Sequence, residues 1–202
     1  MLISMTGFGS ASADDHGISC AVEIRSVNNR FFKATIKLPD KLAQIYRQPA
    51  KLLDNLHAAG VAPEDIDIVI NTHLHFDHCG GNHLFAGRPI YVQRQELDDA
   101  RSLDDYTIRE WVEAPGVRYV PVDGELELLP GLRLVPAPGH TRGMQIVVVE
   151  TGGRPAVVGG DVAVWHGELD EPHTEGQLRV RALDPELVWL AHEREPWRPR
   201  TV

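Results

Sequence analysis

Alternation of apolar and polar residues marks the front of the chain. In residues 19–38, SCAVEIRSVNNRFFKATIKL, Val22 and Ile24 alternate with Glu23 and Arg25. Further on, Phe32, Ala34, Ile36 and Leu38 alternate with Lys33, Thr35 and Lys37. Side chains along a strand point to opposite faces in turn, so the pattern predicts a β-hairpin turning at Asn28-Asn29. Pro39-Asp40 ends the second strand. Helical spacing follows over 41–59, broken or restarted at Pro49 and stopped at Gly60.

The pattern then changes to short apolar runs separated by turns. IDIVI (66–70) is continuously apolar enough for a buried strand, and RPIYVQ (88–93) predicts another. Residues 94–113 read as mostly helical with several acidic positions. Strands are expected at VRYVPV (117–122), GLRLVPAPGH (131–140), MQIVVVET (144–151), RPAVVGGD (154–161) and ELVWLAH (186–192). Residues 166–185 are polar and irregular and read as loop with at most a short helix. There is no solenoid-period repeat and no low-complexity tract. The class is α/β.

Composition narrows the function. The 202 residues suit one domain with an appendage, long enough to bury a sizeable core. A net charge of −9 argues against a nucleic-acid partner, which selects for a basic face. No apolar run reaches membrane length, and the N-terminus lacks a basic-then-apolar signal, so a soluble, cytoplasmic protein is expected, with no membrane partner. Cys20 and Cys79 read as two free, partly buried thiols.

The histidines carry the chemistry. Four apolar runs end in a metal-capable residue: IDIVIN leads into His73, His75, Asp77 and His78, LRLVPAPG into His140, PAVVGG into Asp161, and LVWLA into His192. In layered α/β proteins ligands collect beyond the carboxyl ends of strands. Residues two apart on extended chain point the same way, so His73 and His75 can share one ion. Asp77 and His78 follow where the chain turns into a helix and can face a second. Gly80 and Gly81 allow close backbone approach. Imidazole and carboxylate without thiolate suit zinc, with manganese, iron or cobalt as substitutes. Asp161 can bridge two ions about 3.5–4 Å apart.

This H-x-H-x-D-H run with a distant His, Asp and His resembles the metallo-β-lactamase superfamily over about residues 50–195. The resemblance implies one metal on His73, His75 and His140, another on Asp77, His78 and His192, and Asp161 as the bridge. GHTRG (139–143) and VVGGDV (157–162) are similar to the family's local contexts, and HLHFDHCGGN with PIYVQRQE is most similar to its lactonase branch. Asp161 stands where one subclass of true β-lactamases has cysteine. Two departures matter. Val164 stands three residues after Asp161, where such lactonases commonly have tyrosine. The interval from Asp161 to His192 is also short for the family, as if helices were lost. The first residues instead resemble the N-terminus of the YicC-like family, associated with endoribonuclease activity, through SMTGFG (4–9), EIRSVNNRF (23–31) and LP (38–39).

The expected fold is therefore an abbreviated metallo-β-lactamase-like αββα sandwich, with a foreign N-terminal β-hairpin replacing the usual first strands. Its segments are 1–46, YicC-like, and 47–202, catalytic. The implied activity is hydrolysis by a hydroxide bridging two zinc ions, acting on a lactone, another ester or a phosphotriester, with loose specificity. Asp77 and Asp161 are the candidate catalytic carboxylates. Phe76, Trp165 and His166 are candidate pocket residues, Trp165 either walling the pocket or plugging the space left by lost helices. His83 reads as a helix-face residue or one behind the ligands; His16, His57 and His173 read as surface. The acidic run Glu96–Asp105 reads as a solvated helix face. Rival functions are β-lactam or thioester hydrolysis, or a non-catalytic metal-stabilised binding module. A homodimer is expected to cover apolar surface left by the missing framework.

Overall fold

The computed structural model describes residues 7–15, 18–26, 33–37 and 51–199. The chain divides into two compact units, Met1–Asp54 and Asn55–Val202.

The first unit contains a three-stranded antiparallel sheet in the order β1 (Gly7–Asp15), β2 (Ile18–Ser26), β3 (Lys33–Lys37). The β2–β3 pair is the hairpin that the alternation predicts, with Val22 opposite Ile36 and Ile24 opposite Ala34. The Asn28-Asn29 turn lies outside the described residues, as do residues 38–50 with Pro49. Strand β1 was not expected. Its GFGSASADD sequence has little intrinsic strand preference, and it forms by pairing along its whole length with β2, from Gly7 opposite Ser26 to Asp15 opposite Ile18.

Helix α1 (Lys51–Ala58) ends as the sequence predicts, at Gly60 in the left-handed region with φ +72°. Gly60 N donates to His57 O and Val61 N to Leu56 O, which satisfies carbonyls the last turn would leave unpaired.

The second unit is built in four layers. A parallel sheet runs β4 (Val69–Ile70), β5 (Pro89–Gln93), β6 (Arg118–Val122). Its helices are α2 (Phe76–Cys79), α3 (Arg94–Ser102) and α4 (Arg109–Val112). A five-stranded sheet contains β7 (Leu126–Leu129), β8 (Leu132–Pro136), β9 (Gln145–Val149), β10 (Ala156–Gly160) and β11 (Leu187–Leu190) in the order β11-β10-β9-β8-β7. It is antiparallel except for the β10–β11 pair. Helices α5 (Gly167–Asp170) and α6 (Glu175–Ala182) belong to this half.

Side-chain alternation explains the layering. On β9, Ile146 and Val148 enter a core with Val157, Val188, Leu169 and Val180 from the sheet and its helices. Between them Val147 turns the other way, into a cluster with Val122, Leu134, Ile70 and Tyr91 that joins the two sheets. A third core of Leu74, Val92, Leu97, Ala100 and Val112 seals α3 and α4 against the parallel sheet. A strand covered on both faces reads as a continuous apolar run, as QIVVV does. The fold is a mixed α/β sandwich with helices on the outer faces, as expected from the sequence.

Four local expectations need correction. IDIVI pairs only at Val69–Ile70, because β4 has a single neighbour and Asp67 is exposed, so it is a short half-buried edge. Strand β7 was missed. The 166–185 segment holds more than the one short helix allowed for it: α5 and α6 both lie in it, and the eight-residue α6 is started by a capping box in which Thr174 Oγ1 accepts from Gln177 N and Gln177 Oε1 accepts from Thr174 N. The acidic run is a solvated face only in part: Asp98, Asp104 and Asp105 are exposed, but Glu96 is fully buried and Asp99 nearly so. Cys79 is free and buried, while the Cys20 side chain lies outside the described residues. No helix among the described residues is long and apolar enough to cross a membrane.

Candidate metal centre

Each candidate ligand follows the end of a strand. His73 and His75 lie just beyond β4 on extended chain, and His75 caps α2, which carries Asp77 and His78. His140 lies in the loop after β8, Asp161 immediately follows β10, and His192 lies just past β11. Strand ends free side chains from the sheet faces, so residues far apart in sequence can converge there.

The convergence is tight. His140 Nε2 stands 3.0 Å from His75 Nδ1. Asp161 Oδ2 stands 3.2 Å from His192 Nε2, 3.3 Å from His78 Nε2, 3.5 Å from His140 Nε2 and 3.9 Å from His73 Nε2. Asp77 Oδ2 is 3.6 Å from His78 Nε2 and 3.7 Å from His192 Nε2. Three overlapping donor groups result: His73 with His75 and His140, Asp77 with His78 and His192, and His73 with His78 and Asp161. All seven sequence-predicted ligands are thus brought together.

The electrostatics favour a cation among them. Burial pushes the His73 imidazole down to about 2, with the neighbouring His78 adding to it. Burial and then His140 lower His75. Burial pulls the Asp161 carboxyl up, but the His192 and His78 imidazoles beside it outweigh that and hold it below the usual carboxylate range. The same contact raises His192. His73 and His75 are therefore neutral lone-pair donors near neutral pH, facing an ionised Asp161. Buried His73 Nε2, His78 Nε2 and Asp161 Oδ1 have no hydrogen-bond partner. Orphaned buried polar atoms are costly, and His73 Nε2 and His78 Nε2, which face Asp161 Oδ2 at 3.9 and 3.3 Å, fit a divalent ion.

The surrounding residues were only partly foreseen. Glu96 accepts from Leu74 N at 2.8 Å, from Thr141 Oγ1 at 2.6 Å, and from Tyr106 Oη. The Tyr106 ring lies 5.1 Å from that of His75. Burial, followed by this contact with Glu96, holds the Tyr106 phenol well above its usual range. Sequence reasoning missed Glu96, although helical spacing puts it with Leu97 and Ala100 on the face of α3 that enters the core.

Of the candidate pocket residues, Phe76 is exposed at the start of α2. Trp165 is 58 % exposed, which leaves it plugging no core space. His166 Nε2 lies 2.9 Å from Glu195 O. None of the three enters a donor group. Two cavities adjoin the centre. One, of about 320 Å³, has Tyr106, His140 and Arg142 in its wall; the other, of about 250 Å³, has Thr72, His78 and Trp189. His83 is exposed, with Nδ1 2.9 Å from Gly80 O.

Residues 39–192 match the family described as the Metallo-beta-lactamase superfamily, and residues 2–60 match the Endoribonuclease YicC-like N-terminal region. An N-acyl homoserine lactonase from Bacillus sp is 40 % identical over 101 residues, 50 % of this chain and 40 % of that protein. One from Bacillus cereus is 34 % identical over 124 residues, 61 % of this chain and 48 % of that protein. The chain thus spans about half the length of the curated relatives it matches. Among solved structures, a B. thuringiensis AiiA variant with N-decanoyl-L-homoserine bound at its active site superposes with TM-score 0.61 at 20 % identity, covering 88 % of this chain and 82 % of that one. A putative metallo-beta-lactamase from Thermotoga maritima superposes with TM-score 0.59 at 17 % identity, covering 96 % and 98 %. At such identities these likenesses speak for the fold, and they agree with the match over 39–192: the chain belongs to the metallo-beta-lactamase superfamily.

Proposed function

We propose that this chain is a metal-dependent hydrolase that opens lactones, with N-acyl homoserine lactones as its first candidate substrates. The observation that carries the reading is Asp161 Oδ2, with four imidazole nitrogens within 3.2–3.9 Å of it. A carboxylate so surrounded suits a bridge between two ions, zinc being the ion this donor set favours. We assign His73, His75 and His140 to one ion, Asp77, His78 and His192 to the other, and Asp161 to both. Bound there, divalent ions supply Lewis acidity toward the ester carbonyl and a lowered pKa for water.

The chain's own residues do the rest. The Asp77 carboxylate, one-third exposed, is the acceptor we assign to a hydrogen bond from the attacking water, which it orients toward the carbonyl carbon. Attack forms the new C–O bond and the ester C–O bond breaks; the ring oxygen leaves with one proton of the attacking water and becomes the product hydroxyl, while the other proton goes to solvent as the new carboxylic acid ionises. His140 and His192 are exposed, and so open a rim supports loose specificity that extends to aryl esters and phosphotriesters. The named lactonase relatives support the lactone first.

The test is metal analysis with a hydrolysis panel of N-acyl homoserine lactone, aryl ester, phosphotriester, β-lactam and thioester. Two metals per chain, lactone turnover, and its loss in His73→Ala and Asp161→Ala are expected. Metal-free wild-type protein, or turnover untouched by both substitutions, would refute the reading. A β-lactam or thioester preference would move it to the rival chemistries.

The reading includes a cytoplasmic homodimer. Val158 and Trp189, register partners on β10 and β11, are 44 % and 45 % exposed, and they offer an apolar patch to a second copy. A monomeric mass by light scattering at micromolar concentration refutes the dimer.

A further inference from the structure

We infer that Glu96 is a positioning residue that clamps the two loops carrying His73, His75 and His140, and so sets the geometry of one ion site selectively. The inference rests on the metal-centre reading above and goes beyond it by assigning a determinant outside the ligand set.

Glu96 sits in the first turn of α3 and is fully buried. A buried carboxylate is costly unless its oxygens are satisfied. All three donors that satisfy it are uncharged, and two belong to the ligand loops. Leu74 N, which donates to Oε1, is the amide between His73 and His75. Thr141 Oγ1, which donates to Oε2, belongs to the residue after His140. Tyr106 donates the third bond and sets its ring beside His75. One carboxylate thus ties together neighbours of all three ligands in a single donor group.

Two further contacts press the same loop onto the same helix. A β-carbon on Gly143 would overlap the backbone nitrogen and Cα of Glu96, so the 139–143 loop closes on α3 only because position 143 is glycine. Arg142 Nε donates to Asp99 Oδ2 at 3.1 Å, one turn further along α3. The result is His75 Nδ1 and His140 Nε2 held 3.0 Å apart, one from each loop. Asp77, His78 and His192 make none of the hydrogen bonds described for Glu96.

The experiment compares wild-type protein with Glu96→Ala, Glu96→Gln and Thr141→Val. Zinc affinities come from competition with a chromophoric chelator, the ligand field from absorption of cobalt-loaded protein, and folding from circular dichroism. Groups behind metal ligands typically control affinity by about 10–100-fold, and Glu96→Ala is expected to weaken one of the two zinc sites by that factor. The second site should hold, and the cobalt spectrum should change. Glu96→Gln keeps an acceptor for Leu74 N and should recover part of the loss. If Glu96→Ala does not fold, Thr141→Val removes one donor while keeping the carboxylate and decides the same question. Unchanged affinities and spectra in folded variants would overturn the clamp while leaving the metal centre intact. Equal weakening of both sites would overturn its selectivity. Wild-type protein that binds no zinc would overturn clamp and centre together.

Discussion

Gly160 backs directly onto Thr72. Gly160 has φ +54°, and a β-carbon there would stand 2.5 Å from Thr72 Oγ1. The contact joins the end of β10, just before Asp161, to the residue just before His73, which follows β4 of the other sheet. Backbone bonds reinforce it, with Ala191 N donating to Gly160 O at 3.0 Å and Gln145 N to Thr72 O at 2.9 Å. Bonds of the sheet framework therefore set how closely Asp161 approaches the histidine motif.

Gly160→Ala should separate those elements. A left-handed conformation costs a non-glycine residue about 1–3 kcal/mol, before any cost of the overlap with Thr72. The expected outcome is a lower urea midpoint together with fewer than two metals per chain. An unchanged midpoint and full metal content would show that the approach is not needed.

Chelation should destabilise the fold. Without a cation, His73 Nε2, His78 Nε2 and Asp161 Oδ1 remain buried without partners. Each ion that binds only the folded state adds about 4 kcal/mol at a thousandfold excess over its dissociation constant. Thermal melting after exhaustive chelation should therefore occur at lower temperature, and added zinc should restore it in a concentration-dependent way. A melting temperature indifferent to both treatments would contradict a shared metal centre.

Alkaline pH probes another part of the same half. Burial raises the Tyr119 phenol to about 12, against the lowering effect of Asn82 Nδ2, which donates to its oxygen at 3.2 Å. A folded pKa above the unfolded one of 10 stabilises fully below pH 10, and the contribution is lost as pH rises toward about 12. Unfolding free energy should fall through this window, and less steeply in Tyr119→Phe. Tyr106 is shifted in the same direction, so the substitution should flatten the slope only in part.

What the sequence disclosed follows from how each feature writes itself into the chain. The ligands were legible because strand-ending apolar runs deliver them, and because His73, His75, Asp77 and His78 crowd one short stretch. Burial on both faces made β9 plain as QIVVV. Glu96 was not legible in the same way: in a run of acidic residues it looks solvated, and only its spacing with Leu97 and Ala100 reveals an inward face. Strand β1 owes its form to a partner, which no local pattern records. Helix α6 lacks an apolar stripe, since Leu178 is 54 % exposed while Gly176 and Gln177 are buried. Its signal was the pair Thr174 and Gln177, three residues apart.

That pair makes a final prediction. Thr174 Oγ1 accepts from Gln177 N at 3.2 Å, and Gln177 Oε1 accepts from the backbone nitrogens of Thr174 and His173. Removing such a cap typically costs about 1 kcal/mol, so Thr174→Ala should lower stability by that amount and Thr174→Ser should restore most of it. The cap also borders the His140 loop: Gly176 N donates to Pro138 O at 2.8 Å, and a β-carbon on Gly139 would lie 2.7 Å from Thr174 Cβ. Fraying α6 should therefore loosen the segment ahead of His140 as well. Amide exchange should quicken at Gly176 and Gly139 in Thr174→Ala and return toward wild type in Thr174→Ser. Faster exchange confined to α6, with Gly139 unchanged, would mean that the cap supports the helix alone.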